Sequence, residues 1–201
     1  MIYKIAKIIA CSLIKHNYLA DNDRELFEYG FFLVLSQLMY FCICLILGLI
    51  FGCILECITF YIAFNLLRKY SGGFHASTEL RCFVFSSLSI FFSAVCISKL
   101  QSIDLNIILV TLLAISSLVI VIFSPLDTKE KPLTHDERIK YRKYSLIIFS
   151  VALIICIVGF VKAKVLGLPI FVAIVLESIF LIFGKVKQIH LNAITTNKIT
   201  N

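Results

Sequence analysis

Charged residues are scarce in this sequence. Only 15% of its 201 residues are Asp, Glu, Lys or Arg, whereas 60% are hydrophobic and the mean hydropathy is +0.99. Because soluble globular domains carry about 25% charged residues, this composition excludes a soluble domain. It indicates an integral membrane protein.

The sequence also lacks the features of a removable leader and of a repeat protein. No positively charged start is followed by a short apolar core and a small-residue cleavage site. We therefore expect no removable signal peptide, and we expect the first membrane helix to direct insertion. No internal repeats or low-complexity segments stand out.

The sequence also lacks the ligand spacing that is typical of a metal site, although the chain has eight cysteines and four histidines. A zinc site needs four ligands, usually in closely spaced pairs, and among the histidines only His75 lies near a cysteine, Cys82. We therefore expect no metal and no other cofactor. Several cysteines lie within apolar runs, where a free thiol behaves as a small hydrophobic side chain: Cys42, Cys44, Cys53, Cys57, Cys96 and Cys156.

Long apolar runs are what the sequence does contain. The first extends from Phe31 to Leu67, and as a single helix it would be about 55 Å long, whereas a hydrocarbon core is about 30 Å thick. The glycines of the segment 48–52 permit a break. The sequence therefore predicts one all-α polytopic membrane domain over residues 1–201, with about six transmembrane helices. The predicted spans are 31–50, 52–67, 83–99, 105–124, 144–162 and 165–184.

Lysines and arginines are distributed unevenly between these spans. With the N-terminus inside, 16 of them fall in inner segments and only Lys99, Lys162 and Lys164 in outer ones, as the positive-inside rule requires. We therefore predict a multi-pass protein of the cell membrane with both termini in the cytoplasm. The net charge of +7 is explained by this topology and by contact with anionic membrane lipid, so no nucleic-acid partner is expected.

Residues 1–19 have the pattern of an amphipathic helix lying in the membrane interface. A membrane-entry anchor and a docking surface for a partner helix are both compatible with that pattern. The apolar side consists of Ile2, Ile5, Ile8, Ile9, Leu13 and Ile14, and the opposite side carries Lys4, Lys7, Cys11 and Lys15.

The segment 68–82, RKYSGGFHASTELRC, joins the second and third predicted spans on the cytoplasmic side and contains the most reactive side chains. Cys82 follows Arg81 near the predicted start of the third span. A nearby cation, a helix N-terminus and an imidazole each favour the nucleophilic thiolate. His75 is a candidate general base, although a boundary cysteine beside a solvated histidine would give the same pattern.

The spacing of His75 and Cys82 constrains the backbone between them. Seven residues along one helix separate two side chains by about 10.5 Å, whereas proton transfer needs roughly 3 Å. The helix must therefore be interrupted if the pair works together. Gly72 and Gly73 permit a turn. The residues suited to restart a helix are Ser77 or Thr78 as a cap and Glu79 as an acidic first-turn residue.

Five of these residues, Arg68, Gly72, Gly73, His75 and Cys82, form an Arg-x3-Gly-Gly-x-His-x6-Cys motif. The motif resembles the signature of the accessory gene regulator B family, membrane cysteine endopeptidases that process quorum-sensing propeptides in Gram-positive bacteria. The resemblance covers nearly the whole chain, including its size, its six apolar spans, its basic N-terminal segment and the basic stretch SPLDTKEKPLTHDERIKYRKYS. It implies that Cys82 is the nucleophile and His75 its general base.

The resemblance also implies a partner and a product. The partner is a propeptide with an amphipathic leader and an acidic C-terminal tail, which is removed through a thioester acyl-enzyme. An internal Cys or Ser of the propeptide then closes a thiolactone or a lactone. A homodimer is expected from the family.

Supporting roles stay open at four positions. Arg68 is suited either to a substrate carboxylate or to the structure of the loop. Lys129 and Lys131 lie in a basic segment that positive-inside topology explains, with attraction of the acidic tail as an added role. Glu79 either orients His75 or only interacts favourably with the helix dipole.

Two carboxylates lie inside predicted spans, where a charge is costly. For Glu56 and Glu177 we expect a structural role between helices, with Gln37, Asn65 or a partner subunit, and a proton relay is the alternative. Six spans with intramembrane carboxylates would also suit a transporter or exporter of a small solute or peptide. A membrane scaffold for a signalling partner is the non-enzymatic alternative.

Overall fold

A computed structural model of the chain describes residues 2–16, 23–72, 79–101, 107–126 and 134–199, with the side chains of all these residues except Glu79 and those after Ile189. It confirms an all-α protein, because these residues form seven helices and no β-strand. The helices are α1 (Ile2–Lys15), α2 (Arg24–Phe51), α3 (Ile54–Ser71), α4 (Glu79–Leu100), α5 (Ile107–Phe123), α6 (His135–Lys162) and α7 (Lys164–Ile199).

Each predicted span overlaps one of the helices α2 to α7. Within the described residues, four helical segments are long and apolar enough to cross a membrane: Arg24–Phe51, Leu80–Leu100, His135–Lys162 and Lys164–Ile189. α5 is a shorter apolar helix, and α3 carries Glu56, Arg68 and Lys69. Large apolar side chains on these helices are exposed, as contact with lipid requires. The chain is therefore a membrane protein, and whether α3 and α5 also cross the bilayer stays a prediction.

The chain divides into two compact units, Met1–Ile43 and Cys44–Asn201. In the first unit, α1 contacts the start of α2 through polar side chains. The Tyr3 hydroxyl donates to Glu28 Oε2 at 3.2 Å, and Arg24 Nε donates to Glu28 Oε1 at 3.0 Å. Ala6 and Ala10 are buried, whereas the side chain of Ile8 stays exposed. The interfacial position of this helix stays a prediction.

The turn between α2 and α3 lies at the end of the predicted glycine break. Gly52 has a φ of 68°, and the Cys53 amide donates to the Gly48 carbonyl at 2.8 Å. Three cysteines are buried around this turn, and Cys44 Sγ donates to the Cys57 carbonyl at 3.1 Å. All eight cysteines of the chain are free thiols. Those at the turn act as small packing residues, as their apolar setting predicts.

α7 is the central helix of the second unit and contacts α3, α4, α5 and α6. Its side chains from Leu168 to Ile174 are all buried, because a helix that is apolar on every side packs best when other helices surround it. The unit is therefore organised around α7. The predicted single domain over 1–201 stays a prediction.

α6 and α7 form a tight hairpin. Only Ala163 separates the two helices, and the backbones approach each other closely at Gly159 and Gly167. A Cβ atom added at Gly167 would lie 2.4 Å from the Phe160 nitrogen, which is closer than any real Cβ contact. The absence of side chains at these two positions allows the hairpin to close.

We predict that Gly167→Ala destabilises the protein by about 1–3 kcal/mol, because the added methyl group must push two backbones apart. Gly30→Ala is the matched control, since a Cβ atom at Gly30 has nothing within 4 Å and alanine favours a helix more than glycine does. Thermal unfolding of both purified variants in detergent checks this. Equal midpoints for the two variants would show that the hairpin tolerates the methyl group.

Candidate functional site

Cys82 lies in the first turn of α4. The helix begins at Glu79, so Cys82 is its fourth residue, and its side chain is partly exposed. The first four amides of a helix have no partner within the helix, and they carry the positive end of its dipole. Both effects stabilise a thiolate. This position therefore suits a nucleophile that must also be reached by a substrate.

Residues 73–78 of the predicted reactive segment lie outside the described residues, and so does the side chain of Glu79. They include Gly73, His75 and the proposed cap residues Ser77 and Thr78. The pairing of His75 with Cys82 therefore stays a prediction, as does a role of Glu79 in orienting His75.

Gly72 follows the last residue of α3 and makes a close backbone contact. Its φ is 77° and its ψ is −145°, a combination that is open almost exclusively to glycine. It forms an isolated parallel bridge with Leu126, whose amide donates to the Ser71 carbonyl at 2.9 Å. A Cβ atom at Gly72 would lie 2.5 Å from the Leu126 carbonyl oxygen. Both the backbone conformation and the available space therefore require glycine in this position of the motif.

Three buried serines hold the same junction together. Ser145 of α6 lies 2.9 Å from Ser71 and 2.5 Å from Ser124, hydroxyl to hydroxyl. Arg142 Nη1 also donates to the Ser124 carbonyl at 2.8 Å. The end of α3, the residue after α5 and one face of α6 are thus linked by hydrogen bonds. Sequence reasoning missed this cluster, because serines 74 residues apart give no local pattern.

Arg68 lies in the last turn of α3, four residues before Gly72. Its guanidinium carbon lies 4.4 Å from the centroid of the Phe180 ring and 5.7 Å from that of Phe64. Phe180 belongs to α7, three residues after Glu177. The Arg68 side chain is therefore directed toward α7, which favours a structural role in the loop over contact with a substrate.

The two intramembrane carboxylates have different surroundings. Glu56 Oε1 accepts a hydrogen bond from Gln101 at 3.0 Å, while the Asn65 amide donates to the Tyr61 carbonyl of its own helix. Glu56 is thus paired with Gln101, whereas the Asn65 amide bonds within its own helix. Glu177 is fully buried, and among the described residues none donates a hydrogen bond to its carboxylate oxygens.

A basic cavity of about 240 Å³ lies where α5 ends. Arg138, Arg142 and Lys185 line it, and the Lys185 ammonium donates to Gln188 at 3.1 Å. Lys129 and Lys131, which we expect to attract an acidic tail, lie outside the described residues. The contribution of Lys185 was not anticipated, because it comes from α7 and not from the basic segment before α6.

Among the described residues, no group of three or more His, Cys, Asp or Glu side chains lies close enough together to hold a metal ion.

Known proteins are similar in sequence to this chain over most of its length. The family model described as Accessory gene regulator B matches residues 3–182. An AgrB-like protein 2 of Clostridium perfringens is 34% identical over 77% of this chain and 75% of its own length. A second AgrB-like protein of the same species is 29% identical over 89% and 86% of the two chains. The accessory gene regulator protein B of Staphylococcus haemolyticus is 30% identical over 67% and 69%. No solved structure matches significantly.

We predict that Gly72→Ala is more destabilising than Gly52→Ala by about 1–3 kcal/mol, because only the first variant adds a clash to its backbone strain. Both glycines have a positive φ, but a Cβ atom at Gly52 has nothing within 4 Å. Comparing thermal unfolding of the two variants in detergent isolates the contact with Leu126. An equal loss of stability in the two variants would show that Leu126 moves away from the added methyl group at no energetic cost.

Proposed function

The chain belongs to the accessory gene regulator B family, whose role is in quorum-sensing peptide processing, and we propose that it is the cysteine endopeptidase of such a system. The proposed substrate is a propeptide with an amphipathic leader, a short middle segment and an acidic C-terminal tail. The observation that carries the proposal is the position of Cys82, partly exposed in the first turn of α4.

In the first step, His75 takes the proton of the Cys82 thiol, and the sulfur attacks the carbonyl carbon that precedes the tail. The tetrahedral intermediate collapses as its carbon–nitrogen bond breaks. The tail leaves as a free amine, which receives the proton back from the His75 imidazolium. Leader and middle segment remain attached to Cys82 as a thioester.

In the second step, a Cys or Ser side chain of the middle segment attacks the thioester carbonyl. The bond to the Cys82 sulfur breaks, the proton of the attacking group returns to the enzyme, and a thiolactone or lactone ring closes. A thioester suits this transfer because it keeps the carbonyl reactive toward a second nucleophile. Water competes for the same carbon, so the site must exclude it while the ring closes.

The basic cavity is the proposed contact for the acidic tail. Arg138, Arg142 and Lys185 place three cations around a space of about 240 Å³, and the adjoining Lys129 and Lys131 add two more in the sequence. Two of the Arg142 donors are already engaged, since Arg142 donates to the carbonyls of Val121 and Ser124 at the end of α5. We test the contact with substrate carboxylates at Lys185, whose described partner is the neutral side chain of Gln188.

We propose the cytoplasmic side for the reactive segment and for both termini, on the distribution of Lys and Arg, and a homodimer as the assembled form. The transporter alternative receives no support from the intramembrane carboxylates. Glu56 accepts a hydrogen bond from Gln101, and Glu177 is fully buried. Neither carboxylate lines one of the described cavities.

We predict that Cys82→Ala and His75→Ala each lower tail release by on the order of 10³-fold or more, because each removes a group that acts at the reacting atoms. Cys96→Ala is the matched control, an exposed thiol on the same helix. The assay incubates purified protein with a propeptide and follows tail release and a hydroxylamine-sensitive adduct by mass spectrometry. Undiminished processing by Cys82→Ala would exclude this mechanism.

We predict that Lys185→Gln raises the KM for the propeptide about two- to fivefold with little change in kcat, as expected for one partly solvated charge pair. Lys187→Gln is the matched control, because Lys187 lies two residues away on α7 and does not line the cavity. The difference should shrink at high salt. Equal KM values for the two variants at low salt would show that the acidic tail does not bind in this cavity.

A further inference from the structure

Glu177 is the most deeply buried ionisable group among the described side chains of α7. Its side chain has no exposed surface, and neither carboxylate oxygen accepts a hydrogen bond within the described part of the chain. A buried carboxylate without compensation is strongly unfavourable. Such a residue is retained most easily when an opposite charge lies nearby.

Arg68 is the cation directed toward this position. Phe180 lies three residues after Glu177, so the two side chains project from the same side of α7. The Arg68 guanidinium lies over the Phe180 ring at 4.4 Å, and Phe180 also contacts Phe64 of α3, with ring centroids 5.9 Å apart. The aromatic rings thus hold the cation beside the face of α7 that carries Glu177.

We propose that Arg68 and Glu177 form a charge pair that fixes the last turn of α3 against α7 and so positions the segment that leads to Cys82. Arg68 is then a positioning residue, whose charge serves Glu177 and not a substrate carboxylate. This inference rests on the proposed function only where it assigns an effect on the reaction of Cys82. The pair itself does not depend on that function.

The connection from Arg68 to the reactive segment is short. The Gly72 amide donates to the Arg68 carbonyl at 3.1 Å, and Ser71 is bound to both Leu126 and Ser145. The end of α3 is therefore attached at two points, to α7 through Arg68 and to the junction with Leu126 through Ser71 and Gly72. Two attachments fix both the position and the rotation of a helix end, and hence the direction in which the next residues leave it.

Binding of a substrate carboxylate by Arg68 makes a different prediction. In that case the loss of Arg68 weakens substrate binding, and removing Glu177 cannot restore it. If Arg68 serves Glu177, the loss of either charge leaves the other without compensation, and removing both relieves the defect. A double-mutant cycle separates the two explanations.

The experiment compares Arg68→Met, Glu177→Leu and the double variant in full-length protein purified in detergent. Thermal unfolding is measured first. Each single variant is expected to lower the midpoint by more than about 5 °C, and the double variant to recover at least about half of the larger loss. Lys69→Met is the control for charge near the same helix end, and its effect should simply add to that of Glu177→Leu.

The second readout is acyl-enzyme formation on Cys82 with a propeptide. For Arg68→Met we expect a fall of about tenfold or more in kcat with KM changed less than about threefold, and recovery of kcat in the double variant. A raised KM that the double variant does not restore would overturn the proposal in favour of substrate binding. Additive losses in the unfolding experiment would overturn the pair itself.

The two readouts also separate failure of this inference from failure of the proposed function. If no variant and no unmodified protein forms an acyl-enzyme, the proposed function is wrong, but the unfolding cycle still tests the pair. If a single variant does not accumulate in folded form, recovery of folded protein in the double variant supports the pair. A double variant no more abundant than the worse single variant overturns it.

Discussion

The backbone contact between Gly72 and Leu126 is the constraint on which the candidate site depends. At this point the end of α3 meets the residues that follow α5, and the Leu126 amide donates to the Ser71 carbonyl. Because Ser71 and Ser124 are buried, their backbone groups need partners that the protein itself supplies. The Leu126 amide and the Arg142 guanidinium supply them, and the hydroxyls of Ser71, Ser124 and Ser145 bond to one another. The reactive segment therefore starts from a fixed point.

Polar side chains are used sparingly in this chain, and several buried serines of the second unit lie where helices meet. Ser71, Ser124 and Ser145 join three elements, and Ser178 of α7 donates to Ser116 of α5 at 3.2 Å. In apolar surroundings an unsatisfied polar group is costly, whereas a satisfied network specifies one arrangement of helices. Apolar packing alone would allow α7 to rotate or slide among its neighbours.

The local features of this fold could be predicted from the sequence, and the long-range ones could not. Apolar runs predict the helices, and the glycine segment 48–52 predicts a break at the turn that Gly52 makes. The start of α6 at His135 also has a local sequence pattern, because Thr134 and Glu137 form a capping box. The apolar run alone places the start of this span later, at residue 144. By contrast, the partners of Ser145 and the neighbours of Arg68 are set by how α7 packs. No local pattern encodes that.

The proposal of Cys82 as the nucleophile has more structural support than that of His75 as its partner. The reason lies in the surroundings of the eight cysteines, all of which are described. Four of them are buried: Cys44, Cys53, Cys57 and Cys156. Cys42 and Cys96 are exposed, but they lie in the interior of apolar helices, where no orphan amides or dipole end can stabilise a thiolate. The Cys11 sulfur accepts a hydrogen bond from Arg24 and lies in the second half of α1, away from the N-terminal end of that helix. Among the eight cysteines, Cys82 combines partial exposure with a position in the first turn of a helix, which is the combination that the proposed nucleophile requires.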